Sequence, residues 1–220
     1  INYLAEKISM PIENYFRFPE YDSTDIEQES DKIYLIGNEK TSKTFNVNSS
    51  KMSLLPGIAL GNSGLNLILH RGMIFRDKIL WMGSKGFLHK GLHIAAEVAF
   101  HLSLKLVIVG VRDEEKTHVL ELLRLIKCEY VMHPWVDINS NEWLSIISDV
   151  TFCIGCSVSE GMSTSLLTCC SFGLIPISTD TCGIDEGFII PFFPRVDLVE
   201  RLTCAVSNCL NKTDIELAEL

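Results

Sequence analysis

The chain has 220 residues, 47% of them hydrophobic and 21% charged, with a formal net charge of −9. That apolar content is enough to bury a core in one domain, or in one domain plus part of another, and a mean hydropathy of +0.22 excludes wholesale disorder. The acidic balance excludes an extended nucleic-acid surface, which needs clustered Lys and Arg. The longest apolar runs, 106–111 and 188–193, fall far short of the roughly 20 residues of a membrane-spanning helix.

The sequence opens on Ile1 rather than Met, so it is read as a piece of a longer chain. Residues 1–30 are mixed and increasingly acidic, ending in the charged run 22–31. The segment 32–37 (KIYLIG) is a short strand candidate, and 51–58 (KMSLLPGI) a second one, broken at Pro56-Gly57. Between them and the rest lies 59–76, with Gly and Asn, which reads as a linker or domain crossover.

From Asp77 the rhythm changes to strand, turn, helix, repeated. A strand at 79–82 ends in the turn Gly83-Ser84-Lys85-Gly86, and a helix over 91–103 places Leu92, Ala95, Ala96, Ala99 and Leu102 on one face. The strand 104–109 is almost continuously apolar, the pattern of a strand covered on both faces in a parallel sheet. A helix over 113–126, a strand at 129–133, a short helix at 141–148 and a strand at 150–154 follow. A helix then runs from after Glu160 to before Gly173, with strands at 174–178 and 188–192 and an amphipathic helix at 196–210. Such alternation predicts an α/β doubly wound parallel sheet of Rossmann-like type. In open sheets of this kind ligands bind beyond the carboxyl ends of the strands. That rule selects the loops 83–90, 110–112, 133–136, 155–161 and 179–183.

Eight cysteines raise the question of zinc or disulfides. Cys153 and Cys156 have CxxC spacing, but no second pair and no histidine pair at ligand spacing accompanies them. Cys153 lies in a strand-like run, and Cys169 and Cys170 lie in an apolar helix-like one, so buried free thiols acting as small hydrophobes are expected. No metal site is expected.

Two loops carry the candidate chemistry. The first runs from Gly83 through Ser84, Lys85 and His89 to Lys90 and Gly91, after a strand and before a helix. It is neither a Walker loop nor GxGxxG. It offers two lysines and backbone amides near a helix N-terminus, a chemistry that suits a diphosphate; the plain alternative is a tight turn with solvated lysines. The second, Ser157 to Ser165, contains Glu160, Gly161, Met162, Ser163 and Thr164 at the start of a helix whose first amides suit an anion. Glu160 there is either a helix-terminal acid stabilised by the macrodipole or an acceptor for sugar hydroxyls. His89 and His133 fall in the same set of loops and read as surface residues.

In this order, ILWMGS…HKGL, KLVIVG, SEGMSTSLL and FGLIPISTDTCGID resemble the carboxy-terminal domain of GT-B glycosyltransferases of the large group-1 family. KIYLIGNEKTSKTF resembles the end of that family's amino-terminal domain. The resemblance implies residues 77–220 as the nucleotide-sugar-binding domain, with 1–76 a remnant of the acceptor domain and linker. By the same resemblance Lys90 neutralises the donor diphosphate and Glu160 holds hydroxyls of the transferred sugar. Gly83, Ser84, Lys85, Gly161, Met162, Ser163, Thr164 and Thr168 fall at donor-contacting positions. Ser84 stands where the family usually has Arg, and Thr168 where it has a second acid.

The implied reaction is a retaining transfer from a nucleotide-diphosphate sugar to a glycan or lipid-linked acceptor, as in surface polysaccharide synthesis, with no cofactor and no nucleic-acid partner. A cytoplasmic location at the inner membrane face is expected, with peripheral membrane contact through an amino-terminal part. These 220 residues alone are expected to bind donor and transfer no sugar. A non-catalytic sugar-nucleotide or partner-binding module and a nucleotide-sugar epimerase are the competing readings.

Overall fold

A computed structural model of the chain describes residues 30–43, 50–60 and 74–218. The acidic run 22–31 and the crossover 59–76 lie mostly outside these residues.

Two parallel strands, β1 (Ile33–Ile36) and β2 (Met52–Leu55), pair from Ile33↔Met52 to Ile36↔Leu55. A one-turn helix, α1 (Glu39–Ser42), follows β1, capped by the Asn38 side chain, which accepts from the Thr41 amide. The remaining strands form one parallel sheet: β3 (Lys78–Met82), β4 (Lys105–Val109), β5 (Tyr130–His133), β6 (Phe152–Gly155), β7 (Ile175–Thr179) and β8 (Phe188–Ile190). Their spatial order is β5-β4-β3-β6-β7-β8, with every neighbouring pair parallel.

The helices between them are α2 (Leu92–His101), α3 (Lys116–Ile126), α4 (Asn141–Ile146), α5 (Thr164–Ser171), α6 (Leu198–Leu210) and α7 (Asp214–Ala218). The continuous apolar strands are explained by two cores, one on each face. Ile79, Trp81, Leu106, Ile108, Phe152 and Ile154 pack with α2, α3 and α6. The intervening Leu80, Val107, Val109 and Cys153 pack with Trp143 of α4 and Leu166 of α5 on the other face. The doubly wound sheet follows directly from that two-sided burial.

Several boundaries differ from the sequence reading for local reasons. The helix expected from 113 opens as a 3-10 turn over Asp113–Glu115, and α3 proper starts at Lys116. The helix after Glu160 starts only at Thr164, because Gly161, Met162 and Ser163 form a turn. Strand β8 stops at Ile190, before Pro191, which lacks the amide a ladder needs. The cysteines are all free; Cys128, Cys153, Cys156, Cys169, Cys182 and Cys209 are buried, while Cys204 is exposed. Burial pushes the Cys209 thiol up to about 12, the behaviour of an inert apolar side chain. Among the described residues no helix is long and apolar enough to cross a membrane.

Candidate functional site

The strand order dictates where the site lies. From β3 the chain moves outward through β4 to β5, then returns to place β6 on the other side of β3. The two crossovers leave β3 and β6 on opposite faces, opening a crevice at their carboxyl ends. The loop after β3 is 83–91 and the loop after β6 is 156–163, the two segments richest in candidate residues.

The two loops are stitched together by backbone and side chain. The Val158 amide donates to the His89 carbonyl at 2.8 Å, and His89 Nε2 donates to the Ser159 carbonyl at 2.9 Å. His89 is thus a half-buried tie between the loops, not the surface residue expected. Gly91 has φ 74°, and a Cβ there would collide with the Cys156 carbonyl; only glycine lets α2 start this close to the end of β6. Trp81 Nε1 donates to the Lys90 carbonyl at 3.1 Å, fixing the residue that carries the ammonium.

At the centre, Lys90 Nζ lies 2.6 Å from Glu160 Oε1, their side chains 25% and 13% exposed. Ser157 Oγ donates to the same carboxylate oxygen at 2.9 Å. A third loop, after β7, closes the ring. The Glu160 amide donates to the Thr181 carbonyl at 2.9 Å, and Thr181 Oγ1 donates to the Ser157 carbonyl at 2.6 Å. Thus Lys90 and Glu160, 70 residues apart in sequence, form one charged centre at the topological switch point.

The other candidate residues divide. Gly83 donates its amide to the Val109 carbonyl at 3.0 Å, and Ser84 and Lys85 are exposed on the same loop. The amides of Gly161 and Met162 have no hydrogen-bond partner among the described residues, and Thr164 is exposed at the first position of α5. Ser163 departs from expectation: its amide, read as an anion ligand, is taken by the Cys182 carbonyl at 2.9 Å because the loop after β7 folds over it. Met162 and Thr168 face the segment after β2. Met162 Sδ accepts from the Gly57 amide at 2.8 Å, and Thr168 Oγ1 accepts from the Leu60 amide at 3.1 Å. Thr168 is 1% exposed, and its hydroxyl oxygen is engaged by that contact.

Residues outside the expected set also shape the site. Thr41 Oγ1 donates to the Gly161 carbonyl at 2.9 Å, and Asn38 Nδ2 donates to Asp185 Oδ1 at 2.9 Å. These contacts dock α1 against the loops that follow β6 and β7. They leave a cleft of about 420 Å³ lined by Tyr34, Ile36, Thr41, Ser159, Glu160 and Gly161. Glu115 is buried at 1% exposure, and its Oε1 accepts from the Gly86 amide at 2.8 Å. Burial pushes its carboxyl above the usual range, a shift the Gly86 amide opposes. In sequence Glu115 is one of three consecutive residues, Asp113, Glu114 and Glu115, and nothing there separates it from the two exposed ones.

Chemically, the centre offers a cation for a phosphate, an acceptor for hydroxyl groups and two amides at the turn into α5 that have no partner among the described residues. No family model matches the sequence, and no curated protein matches it either. Solved structures do. Sucrose-phosphate synthase from Thermosynechococcus elongatus superimposes with a TM-score of 0.68 at 14% identity, covering 89% of this chain and 52% of that one. The lipopolysaccharide outer core galactosyltransferase WaaB gives 0.62 at 17% identity, covering 86% and 57%. WaaG, a glycosyltransferase involved in lipopolysaccharide biosynthesis, gives 0.61 at 17% identity, covering 98% and 66%.

The fold is that of the GT-B glycosyltransferases. The six-stranded sheet is its Rossmann-like sheet, as the resemblance of the sequence implied. The chain spans roughly half to two thirds of the length of these GT-B structures.

Proposed function

We propose that the chain is the donor-binding part of a glycosyltransferase that moves a sugar from a nucleotide-diphosphate donor to a glycan or lipid-linked acceptor. The observation that carries this reading is the Lys90–Glu160 pair at the switch point of a GT-B sheet. Residues 77–220 are read as the donor domain and 1–76 as belonging to the acceptor domain and linker. In this reading Lys90 stabilises the negative charge that develops on the departing diphosphate. Glu160, held by Ser157 and by its own amide, accepts hydrogen bonds from hydroxyls of the transferred sugar. The cleft beside Tyr34 and Thr41 is the direction from which an acceptor approaches. A retaining transfer is proposed, since it asks for orientation and electrostatics and not for a protein base. Sugar transfer is assigned to the protein with a whole acceptor domain, and donor binding to these 220 residues.

The test is calorimetric titration of the chain with UDP, ADP and GDP and their common sugar conjugates, followed by an assay of labelled-sugar transfer. Binding of one nucleotide series, weakened by Lys90→Ala, is the expected result. No binding to any member of the set removes the reading.

A second reading, a non-catalytic binding module, is favoured by one observation. The Thr168 hydroxyl, standing where the family has a second acid, is occupied by the Leu60 amide. Donor binding without transfer, in a protein that includes an acceptor domain, decides for it.

A further inference from the structure

Glu115 is the only carboxylate buried among the described residues, and it lies outside the Lys90–Glu160 centre. Its Oε2 is buried and meets no hydrogen-bond partner of good geometry among the described residues, while the Gly86 and Phe87 amides both oppose the burial that raises its carboxyl pKa. Leaving a carboxylate oxygen so placed is costly, and Glu115 does not cap the helix it precedes: it ends a 3-10 turn whose neighbours Asp113 and Glu114 are exposed. What Glu115 does hold is the loop of the adjacent strand. Its Oε1 accepts from the amide of Gly86, the residue with φ 88° at which the 83–91 loop bends. The Gly86 carbonyl in turn accepts from the Lys90 amide at 2.8 Å. One turn of chain therefore links the buried carboxylate to the backbone of the ammonium-bearing residue. Phe87 and Leu88, inside that turn, are buried at 0% and 1% exposure, which anchors the turn in the core.

We propose that Glu115 is a positioning residue for phosphate recognition: by fixing the Gly86 amide it sets where the Lys90 ammonium stands, without touching the ligand. The inference rests on the diphosphate reading above and names a residue that reading does not use. A role confined to packing would lower stability and leave selectivity among bound nucleotides unchanged. A role in placing Lys90 shows instead in the preference for a diphosphate over a monophosphate.

The experiment titrates the 220-residue chain with UDP against UMP, ADP against AMP and GDP against GMP. In Glu115→Ala the diphosphate-to-monophosphate affinity ratio falls roughly tenfold, on the scale of one lost charge-assisted hydrogen bond. Glu115→Gln retains an amide oxygen for the Gly86 amide and holds the ratio within about twofold of the original. Hydrogen exchange at Gly86 and Phe87 quickens in the Ala variant and not in the Gln variant. A ratio unchanged in Glu115→Ala, or lowered equally in both variants, overturns the inference while leaving the diphosphate reading intact. If Glu115→Ala does not fold, the Gln variant decides by its ratio together with its exchange at Gly86: a lowered ratio with Gly86 protection retained overturns the proposal. If the unaltered chain binds none of the three diphosphates, the reading beneath it falls, and the inference with it.

Discussion

The Lys90 ammonium stands 2.6 Å from the Glu160 carboxylate across the crevice between β3 and β6. Both groups keep some exposure, so the pair is accessible to a ligand that replaces one partner with its own charge. A diphosphate entering here gains a charge-assisted hydrogen bond from Lys90, an interaction worth roughly 1.5–3 kcal/mol. Lys90→Ala therefore lowers nucleotide-diphosphate affinity about ten- to hundredfold. Lys85→Ala costs less, because Lys85 is exposed on the turn and its charge is solvated. Parallel calorimetric titrations of the two variants check this, and equal, negligible effects would return the loop to a solvated turn.

Without ligand, the same pair contributes to folding. Lys90→Ala leaves Glu160, 13% exposed, with Ser157 as its remaining side-chain partner. Glu160→Gln leaves the ammonium with a neutral acceptor. A double-mutant cycle by urea unfolding is expected to give a coupling of roughly 0.5–3 kcal/mol, as for residues in one network. Strict additivity of the two changes would show that the pair is formed too loosely to matter.

Gly91→Ala tests the close approach of α2 to β6. The alanine must adopt a left-handed conformation, and its Cβ meets the Cys156 carbonyl, a backbone atom that cannot swing aside. Backbone strain of this type costs about 1–3 kcal/mol before the collision is counted, so a drop in Tm of several degrees is expected. A variant melting with the original protein would mean that the start of α2 shifts freely.

The sheet and the charged centre were legible in the sequence because both rest on local signals. Two-sided burial makes strands such as Leu106 to Val109 continuously apolar, and the position of Lys90 and Glu160 at strand ends follows from the strand count. What pairs across the fold was not legible. The Ser163 amide is claimed by Cys182, 19 residues onward in a loop whose path over α5 no local pattern specifies. Asn38 and Thr41 follow the strand candidate 32–37 in a polar segment to which the sequence assigns no site role, yet they reach Asp185 and Gly161. Glu115 is indistinguishable from Glu114 until the 3-10 turn sets which of the two faces inward.

Two buried groups contribute to the pH dependence of stability in opposite senses. His93, on the first turn of α2, is 4% exposed, and its Nδ1 has no hydrogen-bond partner among the described residues. Burial, with Arg195 adding to it, lowers its pKa from 6.5 to about 3. The unfolded chain therefore takes up a proton below pH 6.5 that the folded chain refuses until about pH 3. Stability from this group is complete above the unfolded value and is lost as pH falls, by at most about 1.4 kcal/mol per pH unit. Glu115 acts the other way: burial raises its pKa above 4.5, so its contribution is greatest below that value and is lost as pH rises through the folded one. Chemical unfolding of the original chain and of His93→Leu, at intervals from pH 7 to pH 4, separates the two. Subtracting the curves cancels Glu115 and leaves His93 alone. The variant should gain on the original protein steadily as the pH falls below about 6.5, whatever its offset at pH 7. Parallel curves would mean that His93 is protonated in the folded chain and has a counter-charge or solvent path.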